Sequence, residues 1–296
     1  MPRVEFAEAA RLLREGALVG VPTETVYGLA ADALNPAAVG AIFTAKGRPA
    51  THPLIVHTPD DPDIFGVADD RARALAAAFW PGPLTLVLPR RPHVPDAVTG
   101  GHPTVAVRSP AHPLARALAA QVPFAAPSAN RFGQLSPTTA DHVAASFPEL
   151  PVLDGGRCDV GVESTIVDLT GPSTLLRPGG ISVRALEAIL GPVLRGGATP
   201  APGNLAAHYA PRARLVAAAD VDAEAARHRA AGRAVAVLRA LPGDAYAYAL
   251  YDALRALDAR GADVIVAEWA APGGLGDAVN DRLRRAAAAG DSDGNS

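Results

Sequence analysis

Pro123-Phe124-Ala125-Ala126-Pro127-Ser128-Ala129-Asn130, followed by Ser136-Pro137-Thr138-Thr139, decides the fold class. The apolar run 123–126 reads as a strand. It breaks at Pro127 into a polar turn, and the hydroxyl cluster at 136–139 caps the next helix. Strand, polar turn, helix is how α/β proteins present ligand-binding groups, at the carboxyl ends of strands and at helix N-termini.

The same alternation runs outward in both directions. Upstream, a helical pattern from Phe6 to Leu13 precedes a buried strand at Ala17–Val21. That strand ends in Pro22-Thr23-Glu24-Thr25-Val26-Tyr27-Gly28-Leu29, which is either a ligand-facing loop or a turn whose Thr and Glu only cap backbone. Asn35-Pro36 opens a helix with Val39, Ile42 and Phe43 on its buried face. Strands follow at Pro53–His57, Leu84–Leu88 and Thr104–Arg108, with helices at Ala72–Phe79 and Pro113–Ala120 between them. Downstream come short strands at Val152-Leu153 and Gly161–Asp168, the run Leu175–Gly180 and a helix at Val183–Leu190. The expected architecture is α/β: a large mixed-sheet domain over 1–190, a linker over 191–211 and a smaller Rossmann-like α/β domain over 212–288. The second domain alternates strand and helix from Leu215 to Ala288, which implies a small parallel sheet. Residues 289–296 read as a disordered polar tail.

Composition narrows the function. The formal net charge is -3, which argues against a protein held to nucleic acid by bulk electrostatics. Cys158 is the only cysteine, so a disulfide framework and a paired-cysteine zinc site are excluded, and a reducing compartment fits. No signal core or membrane-length apolar run is present, so the expectation is a soluble, cytoplasmic protein. Walker, dinucleotide, zincin and nucleophile-elbow motifs are all missing.

Lys46 is the only lysine among the basic residues. It sits in Ala45-Lys46-Gly47-Arg48-Pro49, three and four residues beyond Phe43 and Ile42, so it continues the buried face of its helix. Lys-Gly is also an ordinary helix ending. The turns collect Lys46, Arg48, Arg108 and Arg177 with Thr25, Thr104, Ser128, Asn130, Ser136 and Ser164. Cations with hydroxyl and amide donors suit an oxygen-rich anion such as a nucleoside triphosphate beside a carboxylate. With no nucleophile in evidence, catalysis would rest on positioning and charge stabilisation.

Val21–Leu29, Lys46-Gly47-Arg48-Pro49, Pro127-Ser128-Ala129-Asn130 and Ser164-Thr165-Ile166-Val167-Asp168 together resemble the YrdC family. His208-Tyr209-Ala210-Pro211, Gly274-Leu275-Gly276 and Asp281-Arg282-Leu283 resemble its longer, two-domain members. The resemblance covers nearly the whole chain. It implies L-threonylcarbamoyladenylate synthesis from L-threonine, bicarbonate and ATP, with Mg²⁺ as counterion and pyrophosphate released. Partner enzymes would pass the threonylcarbamoyl group to a tRNA adenosine. By matching position, Thr25, His57, Arg108, Ser128 and Ser164 would hold threonine. Arg48, His52, Thr104, Asn130, Ser136, Arg177 and Tyr209 would hold ATP, and Lys46 would act at the phosphates. His52 stands where the family commonly has asparagine, and Ala201-Pro202-Gly203-Asn204 departs from the usual start of the linker.

Two other readings share this fold. One is an RNA-binding module without catalysis, which the net negative charge disfavours. The other is a carbamoyl-transfer unit of the hydrogenase-maturation type, which needs cysteine-rich metal fingers that Cys158 alone does not supply.

Overall fold

The computed structural model describes residues 2–197, 199–201 and 207–292. Among them, eleven strands form one mixed sheet: β1 (Arg3–Val4), β2 (Val19–Val21), β3 (Gly28–Asp32), β4 (Ile55–His57), β5 (Leu84–Pro89), β6 (Thr104–Arg108), β7 (Phe124–Ala125), β8 (Val152–Leu153), β9 (Thr165–Asp168), β10 (Thr174–Arg177) and β11 (Leu194–Arg195). Their spatial order is β1-β8-β2-β3-β7-β4-β6-β5-β9-β10-β11. Parallel and antiparallel pairs mix throughout, with β4 parallel to β6 but antiparallel to β7.

Period-two alternation sorts the strand residues onto two faces. On one, Leu29, Val56, Leu86, Val107 and Val167 enter the main core. Helices α2 (Pro36–Lys46), α3 (Asp70–Phe79), α4 (Asp96–Thr99), α6 (Ala140–Ser146) and α7 (Val183–Leu190) pack over it and contribute Ile42, Leu75, Val98, Val143 and Leu186. On the other face, α1 (Phe6–Arg14) and α5 (Pro113–Gln121) cover only the β2, β3 and β7 side, through Leu13 and Leu118 against Val21 and Phe124. The rest of that face carries a small apolar floor of Ile55, Val87, Ala106, Ile166 and Leu176, with Ala201 of the linker packed on it. The uncovered part is where the polar residues gather.

The helix signals in the sequence act as expected. Asn35 accepts from the backbone N–H groups of Ala37 and Ala38, Pro36 takes the first turn, and Gly47 closes α2 at φ 66°. Thr139 caps α6 (Ala140–Ser146) by accepting from His142 N–H.

The second domain has three parallel strands, β12 (Arg214–Ala218), β13 (Val235–Leu238) and β14 (Val264–Glu268), with β14 between the other two. Helices α8 (Val221–Ala230), α9 (Ala245–Ala259) and α10 (Leu275–Ser292) complete it. Its core does not stop at the domain boundary. Val26, Leu135 and Val162 of the first domain join Tyr209, Tyr251 and Leu283 in one buried cluster.

Regular structure extends past two expected boundaries. The linker predicted from 191 first adds β11 to the large sheet, because Leu194 and Arg195 pair with Thr174 and Leu175. Residues 289–292 of the predicted tail belong to α10, which continues to Ser292; residues 293–296 lie outside the described set. Within the linker, Pro202-Gly203-Asn204 also falls outside it. No helix of the described residues is long and apolar enough to cross a membrane.

Candidate active site

A cleft of about 580 Å³, including its open mouth, lies over the uncovered part of the sheet face. Thr25, Lys46, Arg48, His57, Arg108, Ser128, Ser164, Arg177 and Tyr209, all expected from sequence, line it together. The site is not at a sheet edge. His57 pairs with Phe124, whereas the chain after β7 runs the other way along β4, so His57 and Ser128 flank the cleft from opposite ends of one strand pair. A mixed sheet has no single carboxyl edge, and the ligand groups collect on its face instead.

Lys46 ends α2 on the buried side, and its Nζ donates to the carbonyl oxygens of Ser128 and Asn130. The reverse contacts hold the same junction: Phe132 N–H donates to the Lys46 carbonyl at 3.0 Å. Burial pushes the Lys46 ammonium well below the usual lysine range, Arg48 adds to the effect, and Glu163 opposes it. Arg48 is itself buried; its Nη2 donates to the Pro53 carbonyl at 3.0 Å, and its guanidinium lies 5.8 Å from the Phe132 ring centre.

Arg108 ends β6. It donates from Nη1 to Thr25 Oγ1 at 2.9 Å and from Nε to the Gly82 carbonyl at 3.1 Å. Its Nη2 sits 2.6 Å from Glu24 Oε1, a buried ion pair that lacks the alignment of a hydrogen bond. His57, its neighbour in register, stacks on Phe124 with ring centres 4.9 Å apart and planes 7° apart. Burial, and then the Arg108 charge, push the His57 ring down to about 3, so it is neutral at physiological pH. Its Nδ1 is buried without a hydrogen-bond partner among the described residues.

On the far side, Ser164 Oγ shares a 2.7 Å hydrogen bond with Thr85 Oγ1 and accepts from Arg177 Nη2 at 3.1 Å. Arg177 Nε also donates to the Ser164 carbonyl at 3.0 Å. The roof comes from the end of the linker. Tyr209 is 2 % exposed and holds the left-handed φ of 62°, with the His208 ring edge-on to it at 4.1 Å.

Four expected residues do not line the cleft. Asn130 serves it through its carbonyl on Lys46, while its side-chain Nδ2 braces the carbonyls of Arg131 and Gln134. Ser136 donates its hydroxyl to Glu163. His52 packs against Phe132 at 5.7 Å between ring centres. Thr104 begins β6, on the face that carries Arg108 at its other end.

A sequence model described as "Telomere recombination", of the Sua5/YciO/YrdC group, matches residues 11–179. A second, described as "Threonylcarbamoyl-AMP synthase, C-terminal domain", matches residues 181–288. The threonylcarbamoyl-AMP synthase of Pyrococcus abyssi is 43% identical, over 94% of this chain and 92% of its own. That of Bacillus subtilis is 41% identical, over 96% and 93%. The chain belongs to the threonylcarbamoyl-AMP synthase family. The crystal structure of P. abyssi Sua5 complexed with L-threonine superposes with a TM-score of 0.90 at 40% identity, covering 97% of this chain and 96% of that one. Like its family, the chain is an enzyme, a nucleotidyltransferase.

Three polar residues of this synthase fold's cleft have no role assigned from sequence. Thr23, Glu163 and His208 line it. Each sits beside an assigned residue, in Thr23-Glu24-Thr25, Glu163-Ser164 and His208-Tyr209, and that adjacency was the available signal. Burial holds His208 down to about 3, against the pull of Glu163. Glu163 is unlike the others. Burial alone would raise its carboxyl, but Arg282, Arg177 and Ser136 bring it down to about 2, so it is a fixed anion.

Proposed function

We propose that L-threonine lies against Thr25, His57, Arg108, Ser128 and Ser164, and that the ATP phosphates lie against Lys46, Arg48 and Arg177. The reaction is that of the family. Threonine's amino group forms a C–N bond to bicarbonate, which loses water to give a carbamate; a carbamate oxygen attacks the α-phosphate of ATP, threonylcarbamoyl-AMP forms, and pyrophosphate leaves with the electron pair of the broken P–O bond. The observation that carries this reading is the convergence of Lys46, Arg48, Arg108 and Arg177 on one cleft with serine and threonine hydroxyls. Such a site stabilises charge on a transferring phosphoryl group and fixes two reactants, and the nucleophile comes from substrate. Asn130 and Ser136 act through Lys46 and Glu163, while the nucleoside runs outward toward Thr104 and His52.

Mg²⁺ does not fit as a protein-held ion. Its preferred ligands are carboxylates and water. Glu24 is spent on Arg108 and Glu163 on Arg282, and no metal-binding cluster of histidine, cysteine or acidic residues occurs among the described residues. The product is a mixed anhydride, which suits prompt consumption by threonylcarbamoyl-transfer enzymes acting on tRNA in the cytoplasm.

The test is pyrophosphate release on mixing the protein with threonine, bicarbonate and ATP. Release should require all three, and release that ignores threonine sinks the reading. Tyr209 closes the cleft against water. Tyr209→Ala keeps the strained φ but removes the ring, and is expected to raise the ATP KM about tenfold and to lose intermediate to hydrolysis. Unchanged ATP affinity and intermediate yield would show that Tyr209 is only packing.

A further inference from the structure

The motif Asp281-Arg282-Leu283 lies on α10, in the second domain, yet the Arg282 side chain is 1 % exposed and reaches Glu163, which lines the first domain's cleft. Its Nε donates to Glu163 Oε2 at 2.7 Å, and its Nη1 to the Pro178 carbonyl at 3.0 Å. Glu163 directly precedes Ser164, and Pro178 directly follows Arg177. Arg282 therefore grips the chain on both sides of the Ser164–Arg177 contact. The turn it holds has no slack: a Cβ added to Gly179 would come 2.2 Å from Thr165 N. The same guanidinium lies 5.1 Å from the ring centre of Tyr209.

Charge sharpens the point. Glu163 is a buried anion near two cations, Arg282 and Arg177. A buried carboxylate that loses its partner is strongly unfavourable and recruits the nearest replacement. Arg177 is that replacement, and its move toward Glu163 would take it off Ser164 Oγ.

We propose that Arg282 is a positioning residue supplied by the second domain: by neutralising Glu163 and holding Pro178, it keeps Arg177 and Ser164 aimed into the cleft. This rests on the reading of the cleft as the ATP and threonine site. The second domain is then part of the catalytic apparatus, with its fork closing the first domain's charge balance.

The experiment measures calorimetric affinity for a non-hydrolysable ATP analogue, with melting temperature followed in parallel, for the full chain and three variants. Wild-type protein is first checked for threonine-dependent pyrophosphate release, so failure of the site reading is seen separately. Arg282→Met should weaken analogue binding about tenfold or more, because Glu163 then competes for Arg177. Adding Glu163→Gln to Arg282→Met should recover most of that affinity while the melting temperature stays low, since the Pro178 contact is still lost. Arg282→Lys retains charge without the fork; it should fold and show an intermediate loss of affinity. A merely structural arginine would lower melting temperature and leave the analogue affinity of folded protein unchanged. Wild-type affinity in Arg282→Lys, or a loss in Arg282→Met that Glu163→Gln fails to relieve, overturns the proposal. If Arg282→Met does not fold, the Arg282→Lys result decides it.

Discussion

Lys46→Arg is expected to lower kcat for threonine-dependent pyrophosphate release by about 10²- to 10³-fold, the usual range for removing one preorganised charge donor. The substitution preserves charge and leaves Gly47 to close the helix, so a role confined to the cap predicts almost no change. Geometry predicts otherwise. An ammonium has three protons in a compact cluster. Two go to the Ser128 and Asn130 carbonyls, leaving the third for a ligand in the cleft. A planar fork on a longer stem does not reproduce that arrangement, and the junction is closed around it, with Phe132 N–H on the Lys46 carbonyl. Near-normal turnover in the variant would reduce the lone lysine to compositional accident.

The same residue gives ATP binding a pH dependence with a definite sign. Burial and Arg48 hold the Lys46 pKa well below its usual range in the open cleft. Phosphate oxygens favour the charged form and raise it again. Binding is therefore strongest below the lowered value, draws in a proton as pH passes above it, and weakens as pH rises further. Calorimetry in two buffers of different ionisation enthalpy should show proton uptake by wild-type protein and none by Lys46→Arg.

Lys46 was legible because helical periodicity is local. Phe43 and Ile42, three and four residues back, already place it on the buried face, and the structure has it 4 % exposed. The capping chemistry at Asn35-Pro36 and at Thr139 was legible for the same reason. Strand β3 was not. Gly28-Leu29-Ala30-Ala31-Asp32 contains no β-branched residue, and it becomes a strand because β2 and β7 hydrogen-bond it from both sides. Gly28 owes its identity to tertiary packing: an added Cβ would lie 2.9 Å from that of Ala126. The position of the site on the sheet face was also hidden, because strand direction in a mixed sheet is fixed by pairings between distant segments. Glu163 and Arg282 are 119 residues apart, and no local pattern announces that one neutralises the other.

A second large effect is expected at Arg108, where stability and binding can be pulled apart. Arg108→Met leaves the Glu24 carboxylate, 5 % exposed, without the cation 2.6 Å away. Breaking one side of a buried pair costs about 3–5 kcal/mol, mostly because the remaining charge stays buried. Denaturant unfolding of Arg108→Met should show a loss of that size. The double variant with Glu24→Gln removes both charges and should regain most of it, since a neutral amide tolerates the site better than a lone carboxylate. Threonine binding should not return with it. If Arg108 meets the carboxylate of the amino acid, both variants lose a buried charge-assisted contact, about 100-fold in affinity at 2–5 kcal/mol for such a partner. The free energy recovered in folding and the free energy missing from binding then belong to two different functions of one guanidinium. Recovery of threonine affinity in the double variant would reverse the assignment: Arg108 would serve only to neutralise Glu24, and the carboxylate would have to be met by another group in the cleft.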